Sequence, residues 1–302
     1  MRKIYILLLV LGLSNSFNLL YGQIDPGFSR RGLNQEIYNP AYILPENIFR
    51  LGLTTRQQWA GFEHAPLVHA LNFTDFIEPK RFGVGLSVVN LSQGIESYQN
   101  IKLKYAYQLW LKNDIVVSMG IGAGVINHRL KNSDLVFEKN GDPMQREDYD
   151  KLSPDFDIGV CLFAKRIEAG FSISHLERSN KKASNDRVPR HQYAYAAYCF
   201  DISEDVKLKP MIAYRGIRKV AKFEASVSGS YRNFIGADLG YSFNRDLFFS
   251  LSIAPIEWAK LVYSFDIDMG ELRAYDANIH EISLIFKLRK RNLLHKSPRF
   301  FD

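Results

Sequence analysis

The side chains that could do chemistry are few and scattered. The nearest approach to a nucleophile, base and acid is His64, His69 and Asp75, with serines common elsewhere. His69 and Asp75 stand six positions apart on one extended stretch, about 20 Å at strand rise. Hydrolase chemistry needs its groups in mutual reach, so this set has no basis as a catalytic one. No Gly-x-Ser-x-Gly elbow is present. Asp134, Glu138, Asp142, Glu147, Asp148 and Asp150 offer the oxygen ligands calcium takes. Their spacing is not that of an EF-hand, and Asn140-Gly141 with Asp142-Pro143 is turn chemistry, so a solvated loop is the reading. Lys181, Lys182, Arg187 and Arg190 form a basic stretch, either solvated or suited to an anionic lipopolysaccharide or acidic partner. Cys161 and Cys199 fall on opposite faces of non-adjacent strands, which argues against a disulfide. With no Cys-x-x-Cys, His–Cys cluster or His-Glu-x-x-His, neither a metal nor a cofactor is assigned.

The elements around these residues are more informative. The chain of 302 residues is long enough for one large all-β domain. Residues 1–22 read as a secretory signal, with Arg2 and Lys3 ahead of an apolar core from Ile4 to Leu13. Loss of those two cations lowers the formal charge from +7 to +5. The remaining Lys and Arg are spread singly along strands, which is no footprint for nucleic acid. Past residue 22 no apolar run approaches the roughly 20 residues of a membrane helix. Residues 23–47, with Pro26, Pro40 and Pro45, read as an extended periplasmic lead-in.

From Ile48 on, period-2 alternation dominates. Ile101, Leu103, Tyr105, Tyr107 and Leu109 alternate with Lys102, Lys104, Ala106 and Gln108. Phe223, Ala225 and Val227 alternate with Lys222, Glu224 and Ser226, and Leu261, Tyr263, Phe265 and Ile267 with Lys260, Val262, Ser264 and Asp266. In two segments the second face is small: Gly83, Gly85 and Ser87, and Ser118, Gly120 and Gly122. About fourteen such segments fill residues 48–290. Connections after even-numbered segments are short (77–80, 111–113, 164–165, 201–204, 232–233, 255–256). Most after odd-numbered ones are long (59–67, 91–99, 129–154, 176–191, 269–279), with short exceptions at 216–220 and 244–245. A transmembrane outer-membrane β-barrel has this parity, with short periplasmic turns and long outer loops. An even strand count then places both chain ends in the periplasm. Apolar faces turn to lipid, and Tyr105, Tyr107, Tyr193, Tyr195, Tyr231, Tyr241 and Tyr263 are expected in interfacial girdles.

The most distinctive stretch is Asn39-Pro40-Ala41-Tyr42 followed by the hairpin that carries Arg56, Gln58, Trp59, Gly61, Phe62, Ala65 and Pro66. Asn-Pro-Ala-Tyr, then Arg-x-Gln-Trp-x-Gly-Phe leading into Ala-Pro, resembles the start of the PorP/SprF family of type IX secretion outer-membrane proteins. His64 and Val68 depart from that pattern. Phe82 to Asn90, Tyr105-Ala106-Tyr107, Leu208-Lys209-Pro210 and His280 to Leu284 continue the resemblance in order. The resemblance implies a non-enzymatic component of the secretion and gliding machinery. It implies as partners outer-membrane lipid, secreted adhesins or other proteins with type IX C-terminal domains, and a periplasmic peptidoglycan-binding lipoprotein. The motif residues are then candidates for partner binding. A diffusion porin or small-solute transporter is the alternative, since a barrel of this size can enclose water. Residues 291–302 carry Arg291, Lys296 and Arg299 and end Phe300-Phe301-Asp302, either a solvated end or a basic periplasmic arm.

Overall fold

A computed structural model describes residues 27–29, 32, 34–77, 80–134, 147–177, 188–218, 220–243, 246–269 and 278–289. The signal segment, the tail and most of the acidic and basic loops lie outside them. The strands are β1 (Ile48–Gln57), β2 (Leu67–Ile77), β3 (Phe82–Gln93), β4 (Glu96–Trp110), β5 (Val116–Leu130), β6 (Tyr149–Phe163), β7 (Ile167–Ser174) and β8 (His191–Tyr198). There follow β9 (Phe200–Asp201), β10 (Val206–Ile217), β11 (Val220–Tyr231), β12 (Ile235–Ser242), β13 (Asp246–Ile256), β14 (Ala259–Asp268) and β15 (Ile279–Arg289). β8 and β9 both pair with β10 on either side of Cys199 and form one wall strand. β1 pairs antiparallel with β15 along its length, Ile48 opposite Arg289 and Gln57 opposite His280. The described strands thus close an antiparallel barrel of fourteen strands with no free edge in the ring. Closure satisfies the backbone without water, as a membrane requires. No described helix is long and apolar enough to cross a membrane.

The outward face is the apolar one. On β4, Ile101, Leu103, Tyr105, Tyr107 and Leu109 are exposed, while Lys102, Lys104, Ala106 and Gln108 between them are buried. Eight strand rises along that face give about 27 Å, or ~21 Å of height at a tilt near 40°, close to the ~25 Å apolar band of outer-membrane barrels. The outward row Thr55, His69, Asn90, Gln99 and Asn127, in register across β1 to β5, bounds that band at the long-loop end. Two tyrosines depart from expectation: Tyr193 and Tyr195 on β8 point inward and are buried. Alternation fixes two faces but not which is inner, and on β8 the aromatic face has partners inside the barrel.

The connections keep the expected parity with one change. Residues 91–99, expected as a long loop, are mostly strand, and β3 and β4 meet through a turn at Gly94 and Ile95. Gly94 has φ of 58°, the left-handed conformation such a turn demands. At the other end Asn113 and Asp114, and again Arg232 and Asn233, take positive φ in tight turns.

The described residues between 27 and 43 overturn the expectation of an extended periplasmic lead-in. They lie inside the barrel. Phe28 packs with Val68, Ala70, Val89 and Leu91 toward the long-loop end, and Ile43 packs with Phe76 and Ala106 toward the short-turn end. The segment therefore runs the length of the lumen. Gly27, beside Arg215, and Arg289, opposite Ile48, lie toward opposite ends of the barrel, and the chain ends expected on one side lie outside the described residues. A fourteen-stranded ring is wider than its inward side chains fill, and the small inward residues need something to pack against.

Candidate functional site

The site is the lumen wall and the segment seated on it. A helical turn, Gln35–Tyr38, delivers the chain to Asn39. The Asn39 side chain works in both directions. Its Nδ2 donates to the carbonyls of Val160 on β6 and Phe171 on β7, at 3.1 and 3.3 Å. Its Oδ1 accepts from the Ala41 N–H at 2.9 Å, holding the Asn-Pro turn closed. The wall makes room with glycine. A Cβ on Gly159 would run into the Asn39 amide, and one on Gly120 into the backbone at Pro40 and Ala41. A Cβ on Gly83 would lie 2.5 Å from the Ile43 side chain. The small inward face read from the sequence is thus a bed for this segment.

Beyond the turn, Tyr42 packs its ring against Phe163 and Tyr195, with centroids 5.7 and 6.1 Å away. Tyr38 lies on Tyr193 at 4.7 Å. Wall side chains also donate to the segment's backbone: Ser172 Oγ to Tyr38 O at 2.7 Å, Ser118 Oγ to Ala41 O at 2.8 Å, and Gln108 Nε2 to Ile43 O at 2.7 Å. Lys104 Nζ donates to the Glu36 carbonyl, and the Glu36 carboxylate pairs with Arg50 Nε at 2.8 Å. Lys104 is therefore a buried and committed donor.

Two further clusters hold charge in the wall. Arg56 Nη2 meets Asp266 at 2.9 Å and Nη1 meets Glu281 at 3.2 Å. Arg56 also donates to Ser29 Oγ, whose own N–H donates to Glu281 at 2.8 Å. This ties the lumen segment to the strands that close the barrel. The second cluster is Asp155, Asp157 and His175, whose ligand atoms lie within 4.8 Å of one another. Sequence spacing missed it, because His175 follows the end of β7. The Lys102 ammonium stands against both carboxylates, at 2.8 and 2.6 Å, and Asp155 also meets His175 Nδ1 at 2.9 Å. A cation already neutralises these ligands, so the cluster fits a buried ion-pair network better than a metal centre.

The remaining predicted residues lie away from the lumen segment. Trp59 and Phe62 are 36 % and 49 % exposed in the loop between β1 and β2, while Pro66 is buried. The loop is pinned by Gln58 N–H to Pro66 O, Phe62 N–H to Trp59 O and Ala60 N–H to Asn278 O. Gly61, with φ of 103°, and Trp59, with φ of 50°, shape the tip. His64 pairs with Glu63 in that loop and His69 bonds Thr55 on the outer face. Both cysteines are free thiols.

The model of the type IX secretion system membrane protein PorP/SprF matches residues 21–286. The chain belongs to the PorP/SprF family. No curated protein matches it. Among solved structures this PorP/SprF protein is similar to the toluene transporter TbuX of Ralstonia pickettii, at 10 % identity over 84 % of this chain and 93 % of that one, with TM-score 0.51. It is similar also to the toluene transporter TodX of P. putida, at 9 % identity over the same shares, with TM-score 0.51. The CymD monoaromatic hydrocarbon channel aligns at 11 % identity over 86 % and 93 %, with TM-score 0.50. At such identities the likeness is one of fold, and the fold is an outer-membrane β-barrel. The family motif divides in this PorP/SprF chain. Asn39, Pro40, Ala41, Tyr42 and Arg56 are buried in the lumen, and Trp59, Gly61 and Phe62 form an exposed tip.

Proposed function

We propose that this PorP/SprF protein is a non-enzymatic docking component of the type IX machinery in the outer membrane. It holds secreted surface proteins that bear type IX C-terminal domains, adhesins of gliding among them, and contacts a peptidoglycan-linked lipoprotein in the periplasm. The observation that carries the reading is the occupied lumen. A segment bonded to β4, β5, β6 and β7 lies along the lumen in the path a solute would take, and inward side chains around the ring, such as Arg215, Asp238 and Ser264, are buried. A diffusion porin needs that path open, so the porin alternative is the weaker one. The Trp59 and Phe62 tip supports docking, because aromatic residues on a hydrogen-bonded loop are what interface anchors are made of.

In this reading the long-loop end faces the cell surface and the short-turn end the periplasm, where the basic tail reaches the lipoprotein. Two measurements test it. Tagged protein drawn from detergent extracts is expected to bring down type IX cargo and a peptidoglycan-binding lipoprotein, and in planar bilayers it is expected to be closed. Steady ohmic conductance with no partner retained would sink the docking reading in favour of the porin. In a Cys199→Ser background, Glu63→Cys is expected to react with an impermeant maleimide on intact cells, and Lys112→Cys only after lysis. The reverse pattern would invert the topology.

A further inference from the structure

The lumen holds its resident segment the way a peptide-binding groove holds a ligand. Lys104, Ser172, Ser118 and Gln108, from β4, β7 and β5, each donate to a backbone carbonyl, at Glu36, Tyr38, Ala41 and Ile43. Such bonds read the course of the backbone and are indifferent to its side chains, with pockets supplying the selectivity. Three pockets are present. The Asn39 amide fits between Gly159 and Gly170 and bonds two wall carbonyls. Ala41, fully buried, lies over Gly120. Tyr42 enters a cage with Phe163, Tyr195 and Val116. Donors and pockets all belong to the wall, and residues 44–47, which include exposed Glu46, are the covalent connection of the segment to β1.

We propose that the inner wall is a receptor for a peptide that makes a helical turn and then a tight turn of the pattern Asn-Pro-small-aromatic-aliphatic. Residues 34–43 are its resident ligand, and a second peptide of this chemistry exchanges with them. This goes beyond the docking reading and stands whether or not that reading holds. The tether keeps the resident copy at an effective concentration on the order of millimolar, so a free peptide competes only when the tether is cut or the resident contacts are weakened.

The test uses the full chain with a protease site inserted between Glu46 and Asn47, folded in detergent and then cleaved. A fluorescent peptide of residues 34–47 is expected to replace the severed segment saturably, read by anisotropy. The same peptide with Asn39→Ala is expected to bind roughly tenfold or more weakly, since it leaves wall carbonyls without their donor. A barrel that stays folded and takes up no peptide would overturn the proposal, as would equal uptake of a scrambled peptide. Should the insertion prevent folding, the uncut Asn39→Ala protein serves instead. It is expected to take up the labelled wild-type peptide where the unaltered protein does not, and equal uptake by the two, or none by either, would count against the receptor.

Discussion

Replacing Arg56 by methionine is the sharpest test of the lumen chemistry. The guanidinium holds Asp266 at 2.9 Å and Glu281 at 3.2 Å and also reaches Ser29, with all of these side chains buried. Two charge-assisted bonds at roughly 1.5–3 kcal/mol each bound the loss at about 3–6 kcal/mol. Removal of one partner from a buried ion pair costs about 3–5 kcal/mol, because the surviving charges keep their desolvation without compensation. We therefore expect Arg56→Met to lower unfolding stability by ~3–5 kcal/mol. The assay is urea unfolding in lipid vesicles, followed by the gel mobility of unboiled samples. The triple variant Arg56→Met, Asp266→Asn, Glu281→Gln removes the orphaned charges and keeps a carbonyl oxygen at 281 for the Ser29 N–H. It is expected to recover most of the loss. The single variant should also expose the region around Ser29 to protease, since Arg56 and Glu281 are what hold it. A single variant within about 1 kcal/mol of wild type, or a triple variant no better than the single, would refute the assignment of Arg56 as the cation of this cluster.

Other perturbations separate the faces of the barrel. Leu103, 65 % exposed on the outer face, should cost roughly 2–4 kcal/mol as Leu103→Arg in the same assay, the penalty of an arginine near the bilayer midplane. A neutral result would put residue 103 outside the lipid. Lys104→Glu, one position along, should cost about 3 kcal/mol or more, because it sets a buried carboxylate against the Glu36 carbonyl that Lys104 now serves; a harmless substitution would mean the lumen segment is not seated there. Gly159→Val drives a side chain into the Asn39 amide and should dislodge the segment while the barrel stays heat-modifiable, seen as new conductance. Unchanged closure would show that the segment does not block the path. Outside the membrane, Asp148 accepts from the Ser133 backbone N–H and hydroxyl, which holds its carboxyl below the usual carboxylate range. A depressed folded value stabilises the contact above the unfolded value and loses it as pH falls through the folded one. Residues 131–133 should become more protease-sensitive on acidification, and Asp148→Asn should flatten that dependence; an equally steep dependence in the variant would refute it.

The sequence by itself determined the wall. Period-2 alternation, with Lys102 and Lys104 set against Leu103 and Tyr105, specifies strands whose two faces meet different solvents. The parity of connection lengths sorts most long loops to one end of the barrel and the tight turns to the other. Both signals are local, because strand period and turn chemistry depend on neighbours within a few residues. The motif around Asn39 and Arg56 was legible as a motif and not as a place. Nothing local says that Asn39 bonds the carbonyls of Val160 and Phe171, more than a hundred positions away, or that Gly120 and Gly159 are small because Pro40 and Asn39 lie on them. Nor does alternation alone turn Tyr193 and Tyr195 inward; their partners Tyr38 and Tyr42 do. Ring closure brings β1 against β15 and so sets Arg56 among Asp266, Glu281 and Ser29. It also creates an interior too wide for its own side chains, and the N-terminal segment is the nearest length of chain able to fill it.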